Sequence, residues 1–354
     1  MNEIARQGQT EFAGLTYGDD SGRGIHRRRS GKGFHFIGVD GGTITDAKIL
    51  HRIKSLAIPP AWKDVWISPK PTGHIQATGR DARGRKQYRY HSLWTACRDE
   101  VKYSSLVDFA RALPQLRKHI EEDLRSRGLQ RERVLASVIW LLDHALIRVG
   151  NTSYRRDNGS FGLTTLRDRH VDIDGSTLRF AFRGKSGKEW KLTISDRRVA
   201  KIVKSAQDLP GQHLFQYFDE NGQRRPVESQ DVNAYIRQKG GADFSSKHFR
   251  TWAATVAATC LLNDTDLPET KHETARALNA VIDTVAADLG NTRAICRKCY
   301  IHPATLKSWS EARLSEELSS IKIRQTPKGY TEDEYLVLKW LQKFHAPNDE
   351  NKSK

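Results

Sequence analysis

The chain has 354 residues, 37% of them hydrophobic, and its 59 Lys and Arg against 42 Asp and Glu give a formal net charge of +17. That length holds about two domains and at least one sizeable core. No apolar run approaches the roughly 18 residues of a membrane span, and Met1–Arg6 lacks the apolar stretch of a secretory leader, so a cytosolic chain is expected. The excess of cations points to a polyanionic partner, nucleic acid ahead of an anionic membrane, and no long basic amphipathic helix supports the membrane.

In chain order, residues 1–33 read as a partly disordered arm whose His26-Arg27-Arg28-Arg29 run is either solvated or in contact with phosphates. Residues 34–93 read as a small, mostly β domain. Phe34 and Phe36 flank His35 at strand spacing, Ile58-Pro59-Pro60 cannot lie inside a helix, and Trp66–Ser68, His74–Thr78 and Lys86–Tyr90 are strand-like runs between turns. From about residue 94 the period changes. Val134, Leu135, Val138, Ile139, Leu142, Ala145 and Leu146 mark one face of a helix, with a stop expected at Gly150-Asn151. Leu178, Phe180 and Phe182, then Trp190, Leu192 and Ile194, alternate as two strands around a Gly184-Lys185-Ser186-Gly187 turn, which places Lys185 at a hairpin tip. Helical periodicity returns over Ala253–Leu262 and Ala275–Ala287. The 94–345 part is thus a mostly α-helical domain with an inserted β hairpin, and 346–354 is a polar tail. The fold class expected is α+β, a small β lobe followed by a larger α lobe.

Several signatures fail on inspection. Gly184-Lys185-Ser186 resembles the end of a P-loop, but the earlier glycine such a loop needs falls on Arg179. His272-Glu273 begins an H-E-x-x-H whose fifth position is Arg276. Four cysteines (Cys97, Cys260, Cys296 and Cys299) are too few for a disulfide framework, and Cys296-x-x-Cys299 lacks the second ligand pair of a zinc site, so both read as ordinary thiols. Neither a cofactor, a metal nor a nucleotide is expected. Strand cleavage without a metal requires a nucleophile for phosphorus, fixed cations and donors for the non-bridging oxygens, and an acid for the departing oxygen. Arginine suits the second task because its planar fork matches phosphate and keeps its charge. Lysine suits the third when neighbouring cations lower its pKa. A tyrosine nucleophile conserves the broken bond as an aryl phosphodiester.

Four ordered segments resemble the small poxvirus-like and bacterial type IB DNA topoisomerases: Leu146–Asn151 leading to Gly162-Leu163-Thr164-Thr165-Leu166, Phe182-Arg183-Gly184-Lys185, Lys247-His248-Phe249-Arg250-Thr251, and Leu289-Gly290-Asn291-Thr292 leading to Cys299-Tyr300-Ile301-His302-Pro303. In the β lobe, Gly84–Tyr90 is similar to the family's DNA-facing strand. Taken singly, each residue has an ordinary reading as a cap, a solvated charge or a packing ring; the order and spacing together carry the resemblance, over about residues 20–310. It implies the fold of the tyrosine recombinase and type IB catalytic domains, with Tyr300 as nucleophile, Arg148 and Arg250 clamping the scissile phosphate, Lys185 as general acid and Lys247 as a supporting cation. Gln87, Tyr88 and Tyr90 are implied DNA contacts, although alternating aromatics on a strand also pack cores. Asn291 departs from members with His there and fits a bacterial chain. The implied activity is relaxation of duplex DNA through a 3′-phosphotyrosyl link without ATP, by a monomer closing as a clamp on nucleoid DNA. A tyrosine recombinase would show H-x-x-R where this chain has Lys247–Arg250, and a helical domain in place of the β lobe. A non-catalytic DNA-binding protein explains the charge but not the ordered set.

Overall fold

The computed structural model describes residues 14–31, 33–152, 155–156 and 159–345, with side chains described for all of these but 96–101 and 186. Residues 1–13 of the expected arm and the expected tail lie outside the described residues. The chain divides into two compact units, Met1–Tyr103 and Ser104–Lys354, the first built on an antiparallel sheet and the second mostly helical. The boundary falls later than residue 93 because a helix, Ser92–Leu124, crosses it. Among the described residues no helix is long and apolar enough to cross a membrane.

In the first unit, β1 (Ile25–Ser30), β2 (Gly33–Ile37), β3 (Lys63–Ile67), β4 (Ile75–Arg80) and β5 (Lys86–Tyr90) form one sheet in the order β2-β1-β3-β4-β5. Two expectations change here. The basic run is not an arm but strand β1, paired with β2 from His26↔Ile37 to Ser30↔Gly33. Its Arg27 donates to the carbonyls of Pro59 at 3.1 Å and Trp62 at 2.7 Å, groups that the proline-rich turn cannot bond within a regular element. The unit also holds a helix, α1 (Ala47–Ser55), whose N-cap Asp46 accepts from the backbone N–H of Lys48 and Ile49. Ile53 of α1 joins Ile25, Val65, Ile67 and Ala77 in the buried core of this unit.

The second unit takes up α2 (Ser92–Leu124) and continues with α3 (Arg131–Ala145), a three-stranded sheet β6-β7-β8 (Val171–Asp174, Thr177–Arg183, Glu189–Ser195), α4 (Arg197–Gln207), the short pair β9 (Gln216–Phe218) and β10 (Arg224–Pro226), and α5 (Ser229–Gly240). It ends with α6 (Ser246–Asn263), α7 (Lys271–Asp288), α8 (Arg293–Cys299), α9 (Pro303–Ser310), α10 (Leu314–Ser319) and α11 (Glu332–Phe344). The β7–β8 pairing runs in register from Thr177↔Ser195 to Arg183↔Glu189, so the expected hairpin forms with Lys185 in its tip. Helix α3 is buried from Val134 through Leu142, and it ends at Ala145, one turn before the expected Gly150. Leu146 takes a left-handed conformation, φ +52°, which stops the helix without a glycine.

One ion network ties α2, α3, α6 and α11 together. Arg117 of α2 donates to Asp143 of α3 at 2.8 Å and to Glu334 of α11 at 2.7 Å, and Glu334 also accepts from the Trp252 indole of α6 at 3.3 Å. Burial pushes the Glu334 carboxyl up, but the Arg117 hydrogen bonds and charge outweigh it and hold the group below the usual carboxylate range. A depressed carboxylate contributes stability above its unfolded pKa and loses it as pH falls through the folded value. Glu334→Ala is expected to cost on the order of 2 kcal/mol in urea unfolding at neutral pH, because it leaves a half-buried guanidinium half-paired. A loss within experimental error would remove this network from the stability of the unit.

Candidate functional site

The chain from α3 to residue 165 folds back on itself. Gly150 has φ +93°, and a Cβ on Gly162 would lie 2.6 Å from the Arg148 carbonyl oxygen and 2.7 Å from Gly150, so only two glycines allow the approach. The Leu163 N–H then donates to the Arg148 carbonyl at 2.9 Å and that of Thr164 to Val149 at 2.7 Å. This clasp fixes the backbone on which Arg148 stands.

Both arginines reach across to the turn that follows α7. Arg148 donates to the Gly290 carbonyl at 3.3 Å and, in a short contact, to Asn291 Oδ1. Arg250, in the second turn of α6 and only 3% exposed, donates to the Leu289 carbonyl at 2.6 Å and, in a short contact, to the Leu146 carbonyl. The guanidinium of Arg148 can only donate, so Asn291 turns its oxygen to it and its NH₂ away. Asn291 Nδ2 and Arg250 Nε are both buried without a hydrogen-bond partner among the described residues. Both atoms are shut from solvent; one belongs to Arg250 itself and the other stands beside Arg148.

Tyr300 caps α8. Its N–H donates to the Cys296 carbonyl at 2.9 Å, and its carbonyl accepts from the Thr255 hydroxyl at 3.3 Å. Thr255 Oγ1 also accepts from the His302 N–H at 3.1 Å. The Arg250 Cζ lies 5.4 Å from the centre of the Tyr300 ring. Burial raises the phenol pKa, but the charges of Arg250 and Arg148, a hydrogen bond from Arg250 and the charge of Lys247 outweigh it, so the phenol ionises below the ordinary tyrosine value. Burial and the neighbouring Arg148 charge bring Arg250 down to about 10.

A cavity of about 260 Å³ is lined by Arg148, Lys185, Lys247, Arg250 and Tyr300 together with Val149, Gly150, Asn151, Ser160, Phe161 and Ser246, while Asn291 is not in its lining. Its lining holds four cations and no carboxylate, which suits a ligand with several anionic oxygens. Lys247 stands one turn before Arg250 on the same face of α6. His248 turns instead to the helix start, where its Nδ1 accepts from the Ser245 N–H at 3.0 Å. A lysine and not an imidazole therefore faces the cavity. Among the described residues no three His, Cys, Asp or Glu side chains gather as metal ligands would.

Gln87, Tyr88 and Tyr90 lie in the other unit, on β5. Tyr88 and Tyr90 are 42% and 38% exposed, with rings stacked at 5.8 Å, so they are not core residues; Gln87 is half-buried and donates to Asp81 at 3.0 Å. Sequence reasoning missed Ser160, Phe161 and Ser246, polar or isolated residues outside any periodic run. It also missed Thr255, whose signal was legible as the Thr251, Thr255, Thr259 row at helical spacing, all buried.

Asn291 gives a prediction on its orphaned donor. For the strand cleavage that the resemblance implies, Asn291→Ala, which removes that donor, is expected to slow a single turnover by on the order of 10–10³-fold. Asn291→His, with an N–H in reach, is expected to keep clearly more activity than Ala. Wild-type cleavage by the alanine variant would reduce Asn291 to a scaffold for Arg148.

Two family models match the chain: the catalytic core of eukaryotic DNA topoisomerase I over residues 91–325, and the N-terminal domain of bacterial DNA topoisomerase IB over residues 33–81. The chain is 33% identical over 291 residues to DNA topoisomerase 1B of Acanthamoeba polyphaga mimivirus, covering 80% of this chain and 87% of that protein. DNA topoisomerase 1 of Mycosarcoma maydis is 25% identical over 232 residues, 59% of this chain and 23% of the relative. DNA topoisomerase 1B of Vaccinia virus (strain Copenhagen) is 24% identical over 145 residues, 40% of this chain and 46% of the relative.

Proposed function

We propose, for a chain that belongs to the type IB DNA topoisomerase family and is therefore a type I DNA topoisomerase, that Tyr300 cuts and reseals one strand of duplex DNA. The observation that supports this reading is the cavity in which Tyr300 meets Arg148, Arg250, Lys185 and Lys247. The Tyr300 oxygen attacks phosphorus, a 3′-phosphotyrosyl bond forms, and the bond to the 5′-oxygen breaks. Arg148, Arg250 and Asn291 donate to the non-bridging oxygens as charge moves onto them. Lys185 delivers a proton to the leaving 5′-oxygen. One phosphodiester replaces another, so little free energy is lost and the 5′-hydroxyl can attack back. Between the two steps the cut end rotates about the intact strand, driven by torsion in the DNA, and supercoils of either sign relax.

In this reading the enzyme is a monomer whose two units, with the fold of the tyrosine recombinase and type IB catalytic domains in the second, close as a clamp on duplex DNA of the cytoplasmic nucleoid. Tyr88 and Tyr90 of β5 contribute DNA contacts. A tyrosine recombinase is disfavoured because Lys247 lines the cavity while the neighbouring imidazole caps α6. The test is relaxation of positively and negatively supercoiled plasmid in EDTA without ATP. Both should relax. A requirement for ATP or a divalent cation, or for paired specific sites, would contradict the reading. Duplex affinity should also fall steeply between about 50 and 200 mM salt, as expected where several phosphates are contacted and counterions are released. A flat salt response would argue against the clamp.

A further inference from the structure

Trp190 is not among the residues lining the cavity, yet it touches both elements that would have to meet there. It faces Phe182 across the β7–β8 hairpin, the rings stacked 3° from parallel at 6.0 Å, which fixes the plane of the indole. The Nε1-bearing edge of that indole then runs along two glycines. A Cβ on Gly184, the residue before Lys185, would lie 2.7 Å from Trp190 Cδ1, and a Cβ on Gly290, the residue before Asn291, would lie 2.5 Å from Trp190 Cζ2. Real Cβ atoms do not approach this closely, so the indole occupies the space that a side chain at either position would need. Gly290 is fitted to its place twice over, since its φ is +61°. A second tether lies beside the first, because Lys188 Nζ donates to the Ala287 carbonyl at the end of α7 at 3.1 Å, where a cation meets the negative end of the helix dipole. The tip is itself closed by the Gly184 N–H to the Lys188 carbonyl at 2.7 Å.

We infer that Trp190 is a positioning residue: its indole seats the hairpin tip against the Gly290-Asn291 turn and so sets where Lys185 stands relative to Arg148, Arg250 and Tyr300. The tip alone is a poor platform for an acid that must meet one oxygen, because β6 pairs with β7 only as far as Phe180 and the two strands beyond it can bend. A flat ring in contact with the glycine backbone on both sides gives it a fixed seat on the same turn whose carbonyls hold the two arginines. The glycines at 184 and 290 are then explained by the ring, not only by the turns they make.

The inference rests on Lys185 as the general acid, and the test separates the two. Single-turnover cleavage is measured on an ordinary duplex and on one with a 5′-bridging phosphorothiolate, whose thiolate leaves without a proton. Trp190→Ala should slow the ordinary substrate by roughly 10–100-fold, the cost of an acid misplaced by about an ångström, while leaving the phosphorothiolate near the wild-type rate. Gly184→Ala, which keeps the tryptophan but drives a methyl into it, should give the same split, and it decides the matter where Trp190→Ala fails to fold in a thermal melt. Equal slowing of both substrates by these variants, or none, with Lys185→Ala still showing the split, overturns the role of Trp190 alone. Loss of the split in Lys185→Ala itself overturns the general-acid reading and this inference with it.

Discussion

Tyr300→Phe should abolish the covalent protein–DNA adduct on a suicide substrate while duplex affinity stays close to wild type. The substitution removes one oxygen. The ring remains beside Arg250, whose Cζ lies 5.4 Å from its centre, and the backbone hydrogen bonds through Cys296 and Thr255 do not involve the phenol. In the proposed reading binding depends on phosphate contacts spread over the protein, so losing the nucleophile should leave it nearly unchanged. Relaxation should fall below detection, because Tyr300 supplies the one phenol among the described cavity-lining residues. Gel-shift titration and denaturing electrophoresis of the same samples read the two quantities separately. An adduct formed by the phenylalanine variant would remove Tyr300 from the chemistry.

Lys185→Ala should slow cleavage of an ordinary 5′-oxygen leaving group by roughly 10²–10⁴-fold, the usual share of a general acid. The lysine reaches the cavity from the tip of the β7–β8 hairpin, apart from the arginine pair that stands on α6 and on the segment after α3. Its loss should therefore leave the hold on the non-bridging oxygens intact. A 5′-bridging phosphorothiolate should restore most of the rate. Equal slowing on both leaving groups would assign Lys185 to phosphate binding instead.

The family resemblance, carried by the order and spacing of short segments, pointed to five residues, of which Arg148, Lys185, Arg250 and Tyr300 line one cavity and Asn291 stands beside Arg148 without lining it. Periodicity of the apolar residues located α3, α6 and α7, although α3 proves buried on every side from Val134 through Leu142. What escaped lacked a local signal. Leu146 ends α3 in a left-handed conformation that no glycine announces. The Ile25–Ser30 strand resembles a solvated charge run until Arg27 is seen bonded to the Pro59 and Trp62 carbonyls. Helix α1 has only 9 residues, too few for a periodic window among strands. The contact of Trp190 with Gly290 joins elements far apart in the chain, and alternation in β8 suggested only a strand face.

During turnover the DNA should become attached to Tyr300. The most direct measurement is to trap the adduct on a suicide duplex in EDTA, digest the DNA and the protein, and identify the modified peptide by mass spectrometry. The expected result is one nucleotide-bearing tryptic peptide, Cys299–Lys307, with the phosphate on Tyr300 and joined to the 3′-oxygen of the DNA. Attachment at another residue, or to a 5′-phosphate, would contradict the account.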